Sequence, residues 1–203
     1  MTNLNESIHF REITLQNPED VCRRALCEYD SVKKSYALSV WGDEYVINPY
    51  EEKIERVTDN FPPPHEYLCL FIMHYLLKSR ETNLLTEWIS VKDIPGGATF
   101  FRGPHEIPTS LISSRPGNNV KKFKKACEKL GGVSINMADA AYVFKITPRI
   151  PAALLYWEGD DEFTAESKIL FDKSVSEHLA LDIIFALAVD ICSRIAKAAK
   201  KTG

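Results

Sequence analysis

Apolar side chains recur along the chain in two periods, and each period predicts a different kind of element. Residues 65–80 and 181–195 repeat apolar positions three and four apart, which is typical of helices that face a core. Residues 119–130 have one apolar face and stop at two glycines, which favours a helix that ends there. Residues 17–30 open with Asn and Pro, which suit a helix start, and they predict an N-terminal helix.

Short apolar segments with brief connections predict strands. Residues 36–41 and 45–47 flank a Gly-Asp-Glu turn and predict a hairpin that carries Trp41 at its end. Residues 141–146 and 152–157 are joined by a short connection, which favours antiparallel pairing. Because strands and helices do not alternate regularly, the sequence predicts an α+β fold, with an antiparallel sheet packed against several helices.

Length and composition indicate a single domain over residues 1–203. With 45% hydrophobic and 26% charged residues, the chain has an ordinary globular composition and the length for a real core. The net charge of -3 argues against non-specific binding of nucleic acid, which needs a basic face. The first ten residues lack the apolar run of a secretory signal, and residues 181–195 are too charged to span a bilayer. We therefore expect a cytoplasmic protein that binds neither nucleic acid nor membrane.

The five cysteines are odd in number and widely spaced, and the sequence has no Cys-x-x-Cys pair. This pattern argues against an iron–sulfur cluster and against a disulfide framework. We expect free thiols in helical segments, buried among apolar neighbours in a reducing compartment.

Residues 88–105 combine a flexible turn with more side-chain chemistry than any other segment. Two glycines let the backbone approach an anion, an arginine can clamp a carboxylate or phosphate, and two phenylalanines offer a flat apolar wall. A histidine at the end suits a proton shuttle or an axial metal ligand. The segment matches neither a Walker loop nor a dinucleotide fingerprint. The candidate cofactor-binding residues are Trp88, Gly96, Gly97, Phe100, Phe101, Arg102 and His105, with His105 also the candidate metal ligand. The alternative is a tight loop that packs its own aromatic rings.

Three further positions lie outside that segment. His74 shares a helix face with apolar residues, so it is either a hydrogen-bonded core residue or a further ligand-binding residue. Trp157 precedes an acidic turn at 158–162, which suits a hard cation or a solvated loop and is expected to border a cleft. Asp139 precedes two alanines at a strand start, where turn capping competes with ligand contact.

Ordered motifs give the chain a resemblance to a known family, and they lie at residues 41–45, 88–105, 130–132, 139–142, 148–151, 157–163 and 169–172. It resembles an uncharacterised domain family of anaerobic bacteria and archaea, over about residue 36 to the C-terminus. Some relatives in that family carry an added four-cysteine iron–sulfur module, whose cysteines this chain lacks. The resemblance implies a role in one-carbon or corrinoid-dependent metabolism and transfers no catalytic residue.

Three hypotheses for function follow from these residues and this resemblance. The leading hypothesis is a binding or accessory module for a large, flat, anionic cofactor such as a corrinoid or a haem-like tetrapyrrole, working with a methyltransferase or a redox protein. The second is an enzyme acting on a small carboxylated or phosphorylated substrate, with Arg102 as clamp and His105 or Asp160 in acid–base work. The third is a protein-interaction subunit. The leading hypothesis requires Arg102 and His105 to surround one enclosed hollow.

Overall fold

A computed structural model describes residues 4–58, 64–114 and 118–200 of the chain. It confirms the α+β class, with helices packed against antiparallel strands. The turn that the sequence predicts at residues 115–118 and the proline run at 61–64 fall largely outside the described residues.

The longer helices follow the predicted apolar periods, whereas a helix at the N-terminus and the short helices Gly97–Phe100 and Val175–His178 were not predicted. Short 3-10 turns at Val91–Asp93 and Gly103–His105 flank α4. The helices are α1 (Leu4–Thr14), α2 (Pro18–Ala25), α3 (Glu66–Lys78), α4 (Gly97–Phe100), α5 (Ser110–Ser114), α6 (Val120–Lys129), α7 (Val175–His178) and α8 (Leu181–Lys200). Within the described ranges, no helix has both the length and the apolar character that crossing a membrane requires.

The strands confirm the predicted antiparallel pairing and are divided between two sheets. The first sheet has the order β1-β2-β3-β4 and the second has the order β5-β9-β8-β7-β6. Polar strands such as Glu28–Asp30 and Lys53–Arg56 extend the predicted hairpin, and their alternation is too short, at three and four residues, to reveal them. The strands are β1 (Glu28–Asp30), β2 (Ser35–Val40), β3 (Asp43–Asn48), β4 (Lys53–Arg56), β5 (Trp88–Ser90), β6 (Val133–Ile135), β7 (Ala140–Thr147), β8 (Ile150–Trp157) and β9 (Glu166–Asp172).

One core connects the two sheets through the central helices. Helices α3 and α8 pack against each other, and their buried side chains share an apolar cluster with residues from both sheets. The predicted hairpin is confirmed, with Trp41 and Gly42 both at positive φ in a two-residue turn between β2 and β3. The amide of Trp41 donates to the carbonyl of Ile146 at 2.8 Å, which joins the first sheet to the second.

The N-terminal helix predicted for residues 17–30 begins as expected but ends early, at Ala25. The side chain of Asn17 caps it by accepting a hydrogen bond from the amide of Glu19. Leu26 then adopts a left-handed conformation with φ of 52°, which stops the helix. Residues 28–30 continue as a strand because they pair with β2.

Candidate functional site

The segment 88–105 is held at its start by a strand and a reciprocal cap. Trp88 and Ser90 lie on β5, an edge strand that pairs with β9. The hydroxyl of Ser90 accepts a hydrogen bond from the amide of Lys92, while the carboxylate of Asp93 accepts one from the amide of Ser90 at 3.0 Å. This capping box turns the chain sharply into the glycine pair.

The two glycines allow close packing of the backbone. Gly96 has a φ of 79°, and a Cβ atom there would contact Leu181 at 3.4 Å. Gly97 is buried, and a Cβ atom there would overlap the carbonyl of Val91. The glycines therefore have a structural role in this loop, whether or not a ligand approaches their amides.

The two phenylalanines have different environments. Phe101 is only 1% exposed and belongs to the main core, so it offers no free surface to a ligand. Phe100 is half-buried and packs edge-to-face against Phe101. Its ring also supports the exposed His105, whose imidazole stacks on it with ring centroids 4.6 Å apart. Phe185 of α8 approaches the same imidazole edge-on at 5.5 Å.

Arg102 and His105 lie in one tight turn at the surface. The amide of His105 donates to the carbonyl of Arg102 at 3.1 Å, so the two residues are close along the backbone. Both side chains are exposed, and neither forms an ion pair or a side-chain hydrogen bond with another described residue. An acid–base enzyme site would need an acid held against these two groups, and no ion pair holds one there among the described residues.

His74 lies in a different environment from His105. Its ring meets the ring of His9 edge-to-face at 4.5 Å, which places it at the contact between α1 and α3. Burial lowers the pKa of His74, and the neighbouring His9 lowers it further. His74 is therefore a half-buried residue of a helix–helix contact, with His9 as its aromatic neighbour.

The two candidate tryptophans lie far apart on the second sheet. Trp88 pairs with Asp172 and Trp157 pairs with Glu166, at opposite ends of β9. Six residues of strand separate them by roughly 20 Å. Trp88 packs against a small apolar cluster on this sheet, whereas Trp157 is exposed. One ligand the size of a macrocycle does not contact both.

A groove of about 1000 Å³ lies beside the candidate segment, and its wall contains none of the nine candidate residues. Lys92 and Glu106 reach it from the two ends of the loop, and the acidic turn at 158–162 lines its other side, as expected of a turn bordering a cleft. Among the described residues of its wall, five are carboxylates and one is a cation, so it does not favour an anion. The carboxylates are Glu106, Asp160, Asp161, Glu162 and Glu166.

The acidic turn is organised by its own hydrogen bonds. The carboxylate of Asp160 accepts bonds from the amides of Glu162 and Phe163, and these bonds lower the pKa of Asp160. Asn118 and Gly159 exchange hydrogen bonds of 2.5 Å in both directions. Over the described residues, no group of three or more His, Cys, Asp or Glu side chains is arranged to hold a metal ion. The metal hypothesis for this turn therefore gains no support.

Asp139 caps a neighbouring element. Its carboxylate accepts a hydrogen bond of 2.8 Å from the amide of Glu158, which connects the chain before β7 to the chain after β8. The capping interpretation of Asp139 agrees with this contact.

Two organising residues were missed by sequence reasoning, although both lie in the motif segments. Arg149 donates hydrogen bonds to the carbonyls of Arg23, Arg24 and Thr82, and so ties α2 to the loop after α3. The signal for it was a lone cation between two prolines in a hairpin turn.

Asp172 is the second missed residue and is 3% exposed. Its carboxylate accepts bonds from the amides of Leu85, Thr86 and Ser174 and from the hydroxyl of Ser174. Burial alone would raise the pKa of Asp172, but these bonds, led by those of Ser174, outweigh burial and lower it. The carboxylate thereby fixes the strand that opens the candidate segment.

Comparison with known proteins places the chain in a family. The model of the family described as Domain of unknown function (DUF3786) matches residues 17–194, so the chain belongs to that family. Neither a curated protein nor a solved structure matches the chain.

Proposed function

We propose that this member of the DUF3786 family is a binding or accessory module for a large anionic cofactor, a corrinoid or a haem-like tetrapyrrole, in one-carbon metabolism. The observation that carries the proposal is the exposed imidazole of His105, stacked on Phe100 beside Arg102, whose guanidinium has no ion-pair partner among the described residues. The proposal assigns the protein to the cytoplasm, where cysteine thiols remain reduced.

The chemistry of these groups suits such a ligand. An accessible imidazole nitrogen is a good axial ligand for the metal of a macrocycle. The stack on Phe100 and the edge of Phe185 restrict the orientation of the imidazole, which lowers the entropy lost on binding. A free guanidinium three residues away pairs with a carboxylate of the ligand through its planar fork.

The open position of these residues favours an accessory role. The enclosed hollow that the hypothesis required around Arg102 and His105 is not met, because both side chains are exposed and the neighbouring groove is acidic. We therefore restrict the proposal to a cofactor bound at the surface. A flat cofactor bound at the surface keeps one face available to a partner protein. We propose a methyltransferase or a redox protein as that partner.

Absorbance titration tests the proposal directly. Ferric haem and cobinamide, a corrinoid without its own nucleotide base, are each added to the purified protein. We expect a spectral shift typical of imidazole ligation and co-elution on gel filtration. His105→Ala should abolish the shift for both ligands. Absence of a shift and of co-elution with both macrocycles removes the proposal.

Matched controls separate the site from non-specific binding of haem. His65→Asn alters another exposed histidine and keeps a side chain able to cap α3, so it should bind like wild type. Arg102→Gln should weaken binding of haem and leave binding of its dimethyl ester unchanged, because the ester has no carboxylate for the guanidinium. Equal loss with both ligands would show that Arg102 does not pair with the carboxylate.

A further inference from the structure

Two cysteines come together at the end of α2. The thiol of Cys27 donates to the sulfur of Cys22, with the Sγ atoms 3.9 Å apart. Of the other cysteines, Cys127 and Cys192 are buried, and Cys69 contacts the carbonyl of Pro64. The thiol pair is therefore a local feature of the helix end.

The left-handed residue at the end of α2 creates this pair. In a continuous helix, residues five apart point about 140° away from each other, so the two thiols would lie on different faces. Here Leu26 has a φ of 52°, and its amide bonds to the carbonyl of Cys22. The amide of Cys27 bonds to the same carbonyl at 3.2 Å.

This pattern matches a known type of helix end. In such ends, the side chain just beyond the left-handed residue folds back onto the last full turn, usually in an apolar contact. Cys22 and Cys27 occupy these two positions, so a thiol pair replaces the apolar contact. Both thiols are half-buried, and a small molecule can reach them more readily than the two fully buried cysteines.

We propose that Cys22 and Cys27 form a redox-active dithiol, which closes reversibly into an intramolecular disulfide by exchange with a low-molecular-weight disulfide. The sulfurs need to approach by about 2 Å to reach bonding distance. The backbone already holds both residues at one helix end, so rotation of the side chains is the main change required.

The disulfide forms through two consecutive steps of thiol–disulfide exchange. Deprotonated Cys22 attacks one sulfur of the small disulfide, forms a mixed disulfide and releases one thiolate. Deprotonated Cys27 then attacks the sulfur of Cys22 and releases the second thiolate. The thiolates take up the two protons that the cysteines lost, so the dithiol is oxidised by two electrons and the small disulfide is reduced.

The surroundings of the pair set the rate of this exchange. Burial raises the pKa of both thiols, and the neighbouring Cys22 raises the pKa of Cys27 further. Because the thiolate is the nucleophile, exchange is slow at neutral pH and speeds up as the pH rises. Slow exchange suits a pair that responds to sustained oxidation.

Equilibration with glutathione redox buffers tests the proposal. The full-length protein is incubated at several ratios of oxidised to reduced glutathione, then alkylated, and its intact mass and peptides are analysed. We expect a disulfide between Cys22 and Cys27. The equilibrium constant should be at least about tenfold larger for the folded protein than for the same chain in denaturant, because folding raises the effective concentration of one thiol at the other.

Variants show whether the helix end is responsible. Cys22→Ser and Cys27→Ser should each stop closure, whereas Cys69→Ser should close like wild type. Leu26→Gly keeps the left-handed turn and should also close. The proposal is overturned if the folded protein accumulates only glutathione adducts, if it stays fully reduced at every ratio, or if Cys69 takes part in the disulfide. Circular dichroism verifies that each variant is folded.

Discussion

The imidazole of His105 lies nearly parallel to the ring of Phe100, with an interplanar angle of 18°. Phe100 is itself held by its contact with the buried Phe101, so the support under the imidazole is continuous with the core. This relationship makes an exposed histidine more rigid than its surface position suggests, and rigidity at the proposed metal ligand would favour binding.

Replacing Phe100 by Leu keeps apolar bulk but removes the flat support. A stacked aromatic pair contributes about 1 kcal/mol beyond area burial, so we expect haem to bind about fivefold more weakly. Absorbance titration measures the change. Phe163→Leu is the matched control, because Phe163 is an exposed aromatic residue in the acidic turn and should not affect binding.

Asp172→Asn tests the anchor of the candidate segment. The amide nitrogen of Asn would face backbone donors that now bond to a carboxylate, so we expect a loss of about 2 kcal/mol in the free energy of unfolding at pH 7. Urea denaturation measures this loss. Asp161→Asn, an exposed change in the acidic turn, should leave stability unchanged.

The same variant has a predictable pH dependence. The folded-state pKa of Asp172 lies below its unfolded value of about 3.9, so its stabilising contribution is present above that value. The contribution is lost as the pH falls through the folded pKa. The difference between wild type and Asp172→Asn should therefore shrink in acid, and a constant difference would contradict the assignment.

Gly97→Ala should destabilise the protein strongly, because the new methyl group overlaps a backbone carbonyl that no rotamer change can move. We expect a cost of about 3 kcal/mol, measured by thermal or urea unfolding. Gly103→Ala is the comparison, since its Cβ atom would meet open space and only the positive φ of 55° opposes it. That variant should lose about 1 kcal/mol.

The contact between His9 and His74 should make the protein less stable in acid. Burial lowers the folded pKa of His74, so below its unfolded value of about 6.5 the unfolded chain binds more protons. The free energy of unfolding should fall by up to about 1.4 kcal/mol per pH unit until the folded pKa is passed. His74→Leu should reduce this slope, whereas His65→Asn should retain it; equal slopes in all three proteins would contradict the prediction.

The sequence predicted the elements whose apolar pattern faces the core. Helices α3 and α8 and the hairpin around Trp41 could be predicted, because burial against the core imposes a periodic pattern of apolar side chains. The sequence did not predict polar edge strands such as β1 and β4. Hydrogen bonds to a neighbouring strand hold these strands in place, and their side chains mostly face water.

The sequence predicted which residue types the candidate site contains, but not how those residues are placed in space. The sequence brought Arg102 and His105 together because they are three residues apart, and the backbone turn keeps them close. It also grouped Trp157 with Trp88, and the structure places these two at opposite ends of β9. The acidic groove was signalled by the turn at 158–162, but its size depends on α5, which is distant along the chain.

By itself the sequence determined the fold class, the core helices and the resemblance to the family, because each depends on patterns within short windows. Only the tertiary structure decided which side chains share a surface. It separated the two tryptophans along β9, placed Arg149 and Asp172 as anchors, and brought the thiols of Cys22 and Cys27 together. These relationships depend on strand pairing and on one left-handed residue. Neither of these produces a periodic pattern in the sequence from which it could be predicted.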